Sequence, residues 1–466
     1  MTTMPSLSRH PMCHARLSAR ARRSQGATNC HIVIALVLAW LPARTRADNT
    51  QGVLIGNQAA LTGGAVGAMV SDGSAVWHNP AGLAELQRAQ LDASVSAIEI
   101  RTLSVPSFMQ SQTETASANT MELLTIPAAV TYARHLAEHT AIGYGVFVPK
   151  MSDVLLRTAL NGTTNALSDW SMSYTNTSSE TYGGIGIGHS FSEHWNLGAS
   201  LFARYGSIYE STQFAGGNPD DAPNANFLQL SQVRSSKQIS LELGMGVQWK
   251  PDSRWQVGLA VRTPRLSLFG TNKVSSISTF AFSDGTDTAS SYDQSQEDES
   301  GFGVGVATTM YGRGAIAYKF APGGWVSAEA DFRPAYRGDA DYANRAVWNA
   351  RIGGRLRLSP RVHAGLGFFT DRSSVAQNSP DAPSGLDFYG VSGGVELLNR
   401  QLLAEGSAAQ DLVFSTTLAL RYAYGFGEGP AATLPASYAD FSNFTVTSTR
   451  AHAHELAVYF GSSLYF

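Results

Sequence analysis

The sequence predicts an all-β chain closing as a transmembrane antiparallel β-barrel of about 14 strands. Three observations predict it. The 466 residues include 45 glycines and only 15% charged residues, against about a quarter charged in ordinary globular domains. From Ala89 onward the chain falls into segments whose hydrophobicity alternates with period two, each about as long as a strand needs to cross a bilayer. Short polar links alternate with long ones, the layout of a barrel with tight turns at one end and extended loops at the other.

Residues 1–47 read as a secretory signal peptide. They hold no acidic residue; Arg9, Arg16, Arg20, Arg22 and Arg23 precede the apolar run Ile32 to Leu41, and Thr45-Arg46-Ala47 offers a small-x-small cleavage site. Met4 and Met12 are alternative starts. Arg22-Arg23 lacks the flanking residues of a twin-arginine signal, and no apolar run precedes either cysteine as a lipoprotein signal requires. Both cysteines, Cys13 and Cys30, fall in this region, so a processed chain has neither disulfides nor cysteine-bound metal. Cleavage after Ala47 removes 7 of the 33 basic residues, leaving 26 against 36 acidic ones, a net charge of about −10. That balance argues against a nucleic-acid partner.

Residues 48–88 form a separate N-terminal segment ahead of the strands, the one that the resemblance described below marks as a hatch. Within them Gly56 to Ala84 is Gly- and Ala-rich, broken by Asp72, His78 and Pro80, and too rich in glycine for a regular helix or strand. It is also too apolar for a solvated linker, so something must enclose it.

Residues 89–466 supply the enclosure. Strands are expected near residues 97, 130, 144, 185, 203, 244, 261, 314, 330, 352, 367, 392, 420 and 458. In 239–249, Ile239, Leu241, Leu243, Met245, Val247 and Trp249 oppose Ser240, Glu242, Gly244, Gly246 and Gln248. Trp255, Val257, Leu259 and Val261 oppose Gln256, Gly258, Ala260 and Arg262. Trp348, Ala350, Ile352, Leu356 and Leu358 oppose Asn349, Arg351, Gly353, Arg355 and Arg357. Apolar faces end in Trp, Tyr or Phe, as interfacial girdles do. The long loops are expected at Met151–Asn176, Gln213–Leu230, Thr271–Ser300 and Gly427–Thr447. The last segment ends in Phe466, resembling the terminal signal by which bacterial barrels are recognised for assembly.

Ser74-Ala75-Val76-Trp77-His78-Asn79-Pro80-Ala81-Gly82-Leu83, after its Gly/Ala-rich lead-in, resembles the N-terminal motif of the FadL/TodX family of outer-membrane transport proteins. Ala141 to Pro149 is similar to the family's third strand, and Val247 to Gly270 to a further stretch. The resemblance implies a fourteen-stranded barrel whose N-terminal segment folds inward as a hatch, with Asn79, Pro80, Ala81, Gly82 and Leu83 as the hatch motif. It also implies uptake of hydrophobic compounds, long-chain fatty acids or aromatic hydrocarbons, by passive diffusion through a path gated by the hatch or by a gap near the third strand. Gly143 and Gly145 mark a possible lateral-exit strand, since glycine weakens strand pairing; glycine filling a crowded interior is the plainer alternative.

The expected setting is the outer membrane of a Gram-negative bacterium. The expected partners are a hydrophobic small molecule, outer-membrane lipid and lipopolysaccharide, and the barrel-assembly machinery, with the chain a monomer. No enzyme activity, cofactor or metal is expected. Rival readings are a general diffusion porin, a barrel-borne lipase or protease, and a structural or adhesive barrel.

Arg204, Arg262, Arg351, Arg355, Arg357 and Arg421 fall on inward faces, with Glu242, Glu329 and Asp331. Such charges pair as networks, but an arginine fork also suits a ligand carboxylate, and Arg204, Arg262 and Arg351 are the candidates. His135-Leu136-Ala137-Glu138-His139 spells an inverted zinc-protease pattern, but it sits at a turn rather than on one helical face. His452 and His454 share a face expected to point into the lumen, with Glu455 opposite. Thr62 to Gly67 lacks the strand–turn–helix context of a dinucleotide loop.

Overall fold

Alternating segments in a chain that must satisfy its own backbone within lipid have one closed solution, a barrel. The computed structural model shows it. It describes residues 49, 52–111, 114–164, 167–218, 226–283, 288–305, 308–337, 343–375, 385–402, 411–434 and 446–466. The predicted signal peptide lies outside the described residues.

The strands are β1 (Gln90–Gln110), β2 (Thr115–Ala137), β3 (Thr140–Thr164), β4 (Leu167–Ser192), β5 (Trp195–Gly217), β6 (Phe227–Trp249), β7 (Trp255–Arg262), β8 (Leu266–Ser283), β9 (Thr288–Gly301), β10 (Tyr311–Ala321), β11 (Gly324–Arg333), β12 (Tyr336–Arg337), β13 (Ala343–Asn344), β14 (Val347–Ser359), β15 (Val362–Asp371), β16 (Gly385–Leu402), β17 (Asp411–Thr433) and β18 (Val446–Tyr465). β7 and β8 are halves of one wall strand, and β9 and β10 of the next, so the closed antiparallel wall has 14 strands. Each expected strand centre falls in one of them. β1 pairs with β18 from Gln90↔Tyr465 to Ser104↔His452, closing the ring; β12 and β13 pair apart from the wall.

The faces follow the alternation. Leu243, Met245, Leu259, Ile352, Leu420 and Phe460 stand exposed on the outside, while Ser240, Gln248, Gln256, Ser327 and Arg351 are buried within. Trp195 stacks on Trp249 at 5.7 Å between centroids near the short-turn end. Tyr389 stacks on Phe426 at 5.5 Å toward the other. From Trp249 to Ile239, β6 climbs about 33 Å of strand, or about 25 Å of height at a 40° tilt. That matches the apolar band of such barrels.

Two expectations are corrected. Three of the four stretches read as long loops are largely ladder: β3 pairs with β4 to Thr164↔Leu167, β5 with β6 to Gly217↔Phe227, and β8 with β9 to Ser283↔Thr288. The fourth is ladder at both ends, with Ala432↔Val446 paired; residues 435–445 lie outside the described ones. Ser, Thr and Asn looked like loop because they stand beyond the apolar band, yet Thr-rich alternating segments pair well as strands. His452 and His454 face outward, with the Tyr422 hydroxyl 2.9 Å from His454 Nδ1, while Glu455 is buried within. Leu456, Val458 and Phe460 set that register, and even-numbered residues share their side. Arg357 stands exposed at the short-turn rim.

Residues 52–86 lie inside the barrel as short pieces: α1 (Asn57–Leu61), α2 (Ala75–His78) and a 3₁₀ turn, Pro80–Glu85. Their apolar side chains (Ile55, Leu61, Val66, Val70, Val76, Leu83) join inward Phe147, Tyr182, Phe202 and Tyr459 in one buried cluster. Inward glycines admit the backbone of this segment. A Cβ on Gly246 would run into Asn79 and Pro80, on Gly258 into Gly67, on Gly367 into Thr62, and on Gly461 into Asn57.

These seats predict an asymmetry between glycines. Gly246→Val should destabilise the protein by about 1–3 kcal/mol through overpacking, whereas Gly183→Val, with nothing within 4 Å of its Cβ, should be near neutral. Urea midpoints for folding into detergent micelles measure both; equal midpoints would contradict the seating.

Candidate functional site

The motif residues hold the inner segment together and tie it to the wall. The Asn79 side chain is fully buried. Its Nδ2 donates to Gly67 O at 2.9 Å and to Val247 O of β6 at 3.1 Å, and its Oδ1 accepts from Ala81 N–H at 3.2 Å. Pro80 opens the 3₁₀ turn, where a missing N–H costs nothing. A Cβ on Gly82 would strike Val70 O, and Leu83 packs against Gly143.

Polar ties radiate to opposite walls. Asn57 Nδ2 donates to Ser463 Oγ at 2.8 Å, Gly63 N–H to Ser392 Oγ at 2.8 Å and Gly67 N–H to Glu329 Oε2 at 2.8 Å. Ser200 Oγ donates to Val76 O at 2.9 Å. His78 is bonded on both nitrogens: Nδ1 accepts from Arg313 at 2.9 Å, and Nε2–H donates to Ile55 O at 2.7 Å. The imidazole is therefore neutral. At the end of the segment, Lys250 and Asn196 each lie 2.6 Å from Glu85 Oε1. Burial opposes ionisation there, but these bonds hold the carboxyl below its ordinary range.

Trp77, two residues before Asn79, borders a charged cavity. Its ring lies 5.0 Å from Tyr182, 5.4 Å from Phe147 and 5.7 Å from Phe202, with the Arg262 guanidinium 3.9 Å above it. The cavity, about 110 Å³, is lined by Trp77, Tyr182, Tyr311, Lys150, Arg262, Arg265, Arg313, Arg333, Glu180 and Glu242, with Asn49 and Pro149. A second cavity of about 110 Å³ shares Asn49 and Lys150 with it and has a more apolar wall, including Val53, Leu103, Leu386, Phe388 and Ala453.

The candidate arginines separate. Arg204 is buried against Glu180 at 2.8 Å and Gln238 at 3.1 Å. Arg351 is buried against Glu329 at 2.9 Å and Asp331 at 2.5 Å. Arg262 lines the charged cavity and pairs with Glu242 at 3.2 Å. Sequence reasoning missed Arg265, which meets Glu180 at 3.1 Å and the Tyr182 hydroxyl at 2.6 Å. It also missed Arg333, which among the described residues makes no ion pair within 4 Å, lies 5.1 Å from the Tyr311 ring and is felt by the Asp331 carboxylate. Trp77 stood inside the quoted motif without being singled out.

The wall beside the cavities is interrupted. β2 and β3 pair from Ala137↔Thr140 to Ala129↔Phe147, and the ladder then ends although both strands continue. Pro127 and Pro149 flank the end, and β3 bulges between Phe147 and Lys150. Side chains replace ladder bonds beyond it: Asp153 N–H donates to Glu122 Oε2 at 3.0 Å, and Thr158 Oγ1 to Ser117 O at 2.9 Å. The Pro149 carbonyl accepts from Val53 N–H of the inner segment at 3.3 Å. Gly143 and Gly145 lie in the paired part just below, opposite Ala133 and Thr131. His135 and His139 lie at the short β2–β3 turn, with His135 Nε2 2.8 Å from Leu86 O.

Removing the Asn79 side chain should loosen the inner segment and leave the wall intact. Asn79→Ala unpairs buried groups worth about 1–3 kcal/mol each. Hydrogen exchange of amides 56–84 should then accelerate while β6 and β18 stay protected. Unchanged exchange would contradict the anchoring role.

No protein-family model and no curated protein sequence matches the chain. Solved structures do. The Pseudomonas putida toluene transporter TodX is 13% identical, with a TM-score of 0.58 over 90% of this chain and 99% of TodX. The Ralstonia pickettii toluene transporter TbuX is 12% identical, with a TM-score of 0.53 over 90% and 99%. A Pseudomonas aeruginosa FadL homologue is 15% identical, with a TM-score of 0.51 over 91% and 99%. This chain has the fold of the FadL/TodX outer-membrane barrels.

Proposed function

We propose that the protein takes up hydrophobic compounds across an outer membrane, and that its cargo is a single-chain amphiphile with an anionic head, such as a long-chain carboxylate. The observation that carries this reading is the adjoining of two unlike cavities at Asn49 and Lys150. The charged one suits a carboxylate, with Arg262 and Arg333 at hand. The other, more apolar, suits the chain, at about 0.8 kcal/mol per CH₂ withdrawn from water. A neutral aromatic hydrocarbon would gain only a cation–π contact from the arginines and no charge-assisted hydrogen bond. The named transporters of toluene share the fold, which supports passage of hydrophobic compounds and leaves the cargo to this chain's own residues.

Each cavity is smaller than the roughly 300–1,000 Å³ of ordinary ligand pockets. Binding therefore displaces Asn49, which lines both cavities, and Gly52 and Val53, which line the more apolar one. Val53 is bonded to Pro149 at the β3 bulge, so this displacement frees the edge of the β2–β3 interruption, the lateral exit. Residues 48–88 act as the hatch, with Asn79 to Leu83 as its clasp. The inner segment reaching opposite walls also argues against a general diffusion pore.

Mass spectrometry of compounds co-purifying with the detergent-extracted protein tests the cargo; finding no amphiphile, together with free passage of sugars in liposome swelling, would sink the reading. Arg333→Gln should weaken binding of a long-chain carboxylate about tenfold or more, the loss of a charge-assisted bond, and leave its methyl ester unaffected. Equal losses for acid and ester would exclude Arg333 from head binding. Asn79→Ala and Pro80→Ala should impair uptake while the barrel still assembles.

A further inference from the structure

On the lipid-facing side of the wall, β1, β2 and β18 enclose a shallow depression lined by Thr102, Ser104, Asn119, Met121, His452 and His454. At about 510 Å³ it is larger than either lumen cavity and within the roughly 300–1,000 Å³ of ordinary ligand pockets. Its shape follows from the register. Thr102 lies between Met121 and His454, and Ser104 between Asn119 and His452, so two small side chains floor a valley between taller neighbours. Beyond the histidines Tyr424 and Phe426 continue the two rows, and the aromatic girdle resumes where Tyr389 stacks on Phe426.

The depression stands at headgroup height. From Leu464 to His454 the outward face of β18 climbs about 34 Å of strand, or about 26 Å of height at a 40° tilt. That is the upper edge of the apolar band, at the end opposite the short turns. Hydroxyl, amide and imidazole groups on a lipid-facing surface cost free energy unless something bonds them. Among the described residues, the side chains of Thr102, Ser104, Asn119 and His452 have no hydrogen-bond partner. The Tyr422 hydroxyl engages His454 Nδ1 at 2.9 Å, which leaves Nε2 for a ligand. No described carboxylate lines the depression, and the exposed Arg450 stands one outward position above His452. Glu428, opposite Arg450 in the ladder, accepts from Ser448 at 2.9 Å. A set of donors without negative charge suits an acceptor-rich anion. Beside and beneath it, Met121 and Leu123 are 72% and 70% exposed, the most of any large apolar side chains among the described residues. They lie on a stretch of β2 that has no ladder to β3.

We propose that this depression binds a phosphorylated headgroup of an outer-leaflet lipopolysaccharide, with His452, His454, Thr102 and Ser104 taking the phosphate and Met121 and Leu123 flanking an acyl chain. The inference rests on the outer-membrane setting and is independent of the cargo. Two ladder positions on three strands measure about 7 Å along the strands and about 10 Å across, room for a phosphorylated sugar and more than a lone carboxylate needs. A lipid held there spans the seam where β1 closes on β18 and covers the part of β2 that lacks a partner on its other side.

Native mass spectrometry of the detergent-extracted protein tests the site, with bis-phosphorylated lipid A as the probe. The wild-type chain should bind it at least tenfold more tightly than the dephosphorylated form. His452→Leu combined with His454→Leu should weaken binding of the phosphorylated form at least fivefold and leave the other unchanged. Equal affinity for the two forms, or no loss in the double variant at an unchanged urea midpoint, would overturn the site. Phosphatidylglycerol bound as tightly as lipid A would overturn its assignment to lipopolysaccharide. Displacement of lipid A by an equal concentration of a long-chain carboxylate would give the depression to cargo instead, and a dimer lost in the double variant would give it to a second copy of the chain. A further readout needs no variant. Lipid A carrying a diazirine on an acyl chain should label Met121 or Leu123 in proteoliposomes, and label spread evenly to outward residues such as Ile352 would contradict the proposal.

Discussion

The constraint on which this structure depends is that a backbone inside a membrane must satisfy its own N–H and C=O groups. Closing β1 on β18 meets it for the whole wall. Read with that rule, the place where the β2–β3 ladder stops is informative. It is marked by residues that cannot donate to a ladder, Pro127 and Pro149. Substitutes appear there: the Glu122 side chain and the Val53 N–H take up what strand neighbours would. It also borders the charged cavity. An accidental defect would have no reason to combine all three features.

The same constraint turns the interior inside out. Apolar side chains face lipid, so the lumen inherits Ser, Gln, Glu and Arg, and an apolar inner segment has to be fitted into a polar tube. The solution is local. Aromatic residues are concentrated around Trp77 and Val76, and charged residues gather into networks such as Arg313–Glu329–Arg351–Asp331. Buried pairs of this kind contribute little net stability because desolvation offsets attraction. Their consequence is placement. Glu329 holds Gly67 N–H and Arg313 holds His78, so the network fixes where the inner segment sits.

Much of the wall was legible in the sequence because alternation and aromatic girdles are local signals. All the strand centres and the faces of β6, β7 and β14 follow from period two alone. The long hairpins were not legible, since Ser- and Thr-rich ladder beyond the apolar band has loop composition. The facing of His452 and His454 was readable from Leu456 to Phe460 and needed only strict counting. The site itself was legible in part. Asn79 to Leu83 carry a recognisable motif, and Arg262 sits on an inward face. Trp77, Arg265 and Arg333 converge from separate elements, and no spacing in the sequence brings them together. Glycine proved ambiguous in the same way. Gly143 reads as a weak point, and in the fold it also makes room for Val76 and Leu83.

The cavities, the inner segment and the wall share bonds, and this decides how occupancy can be felt at a distance. Trp77 under the charged cavity belongs to the same short helix as His78, and Asn79 follows directly. Val53 beside the more apolar cavity donates to Pro149 at the β3 bulge. On the proposed reading, a chain long enough to fill both cavities would press on Asn49 and Val53, and a shift of Val53 would remove the partner of the Pro149 carbonyl. An unpaired buried carbonyl costs about 1–3 kcal/mol, comparable to burying only a few methylenes. If the proposed cargo and exit hold, short solutes could not offset that cost and long ones could, so the Val53–Pro149 bond would set a minimum chain length for passage.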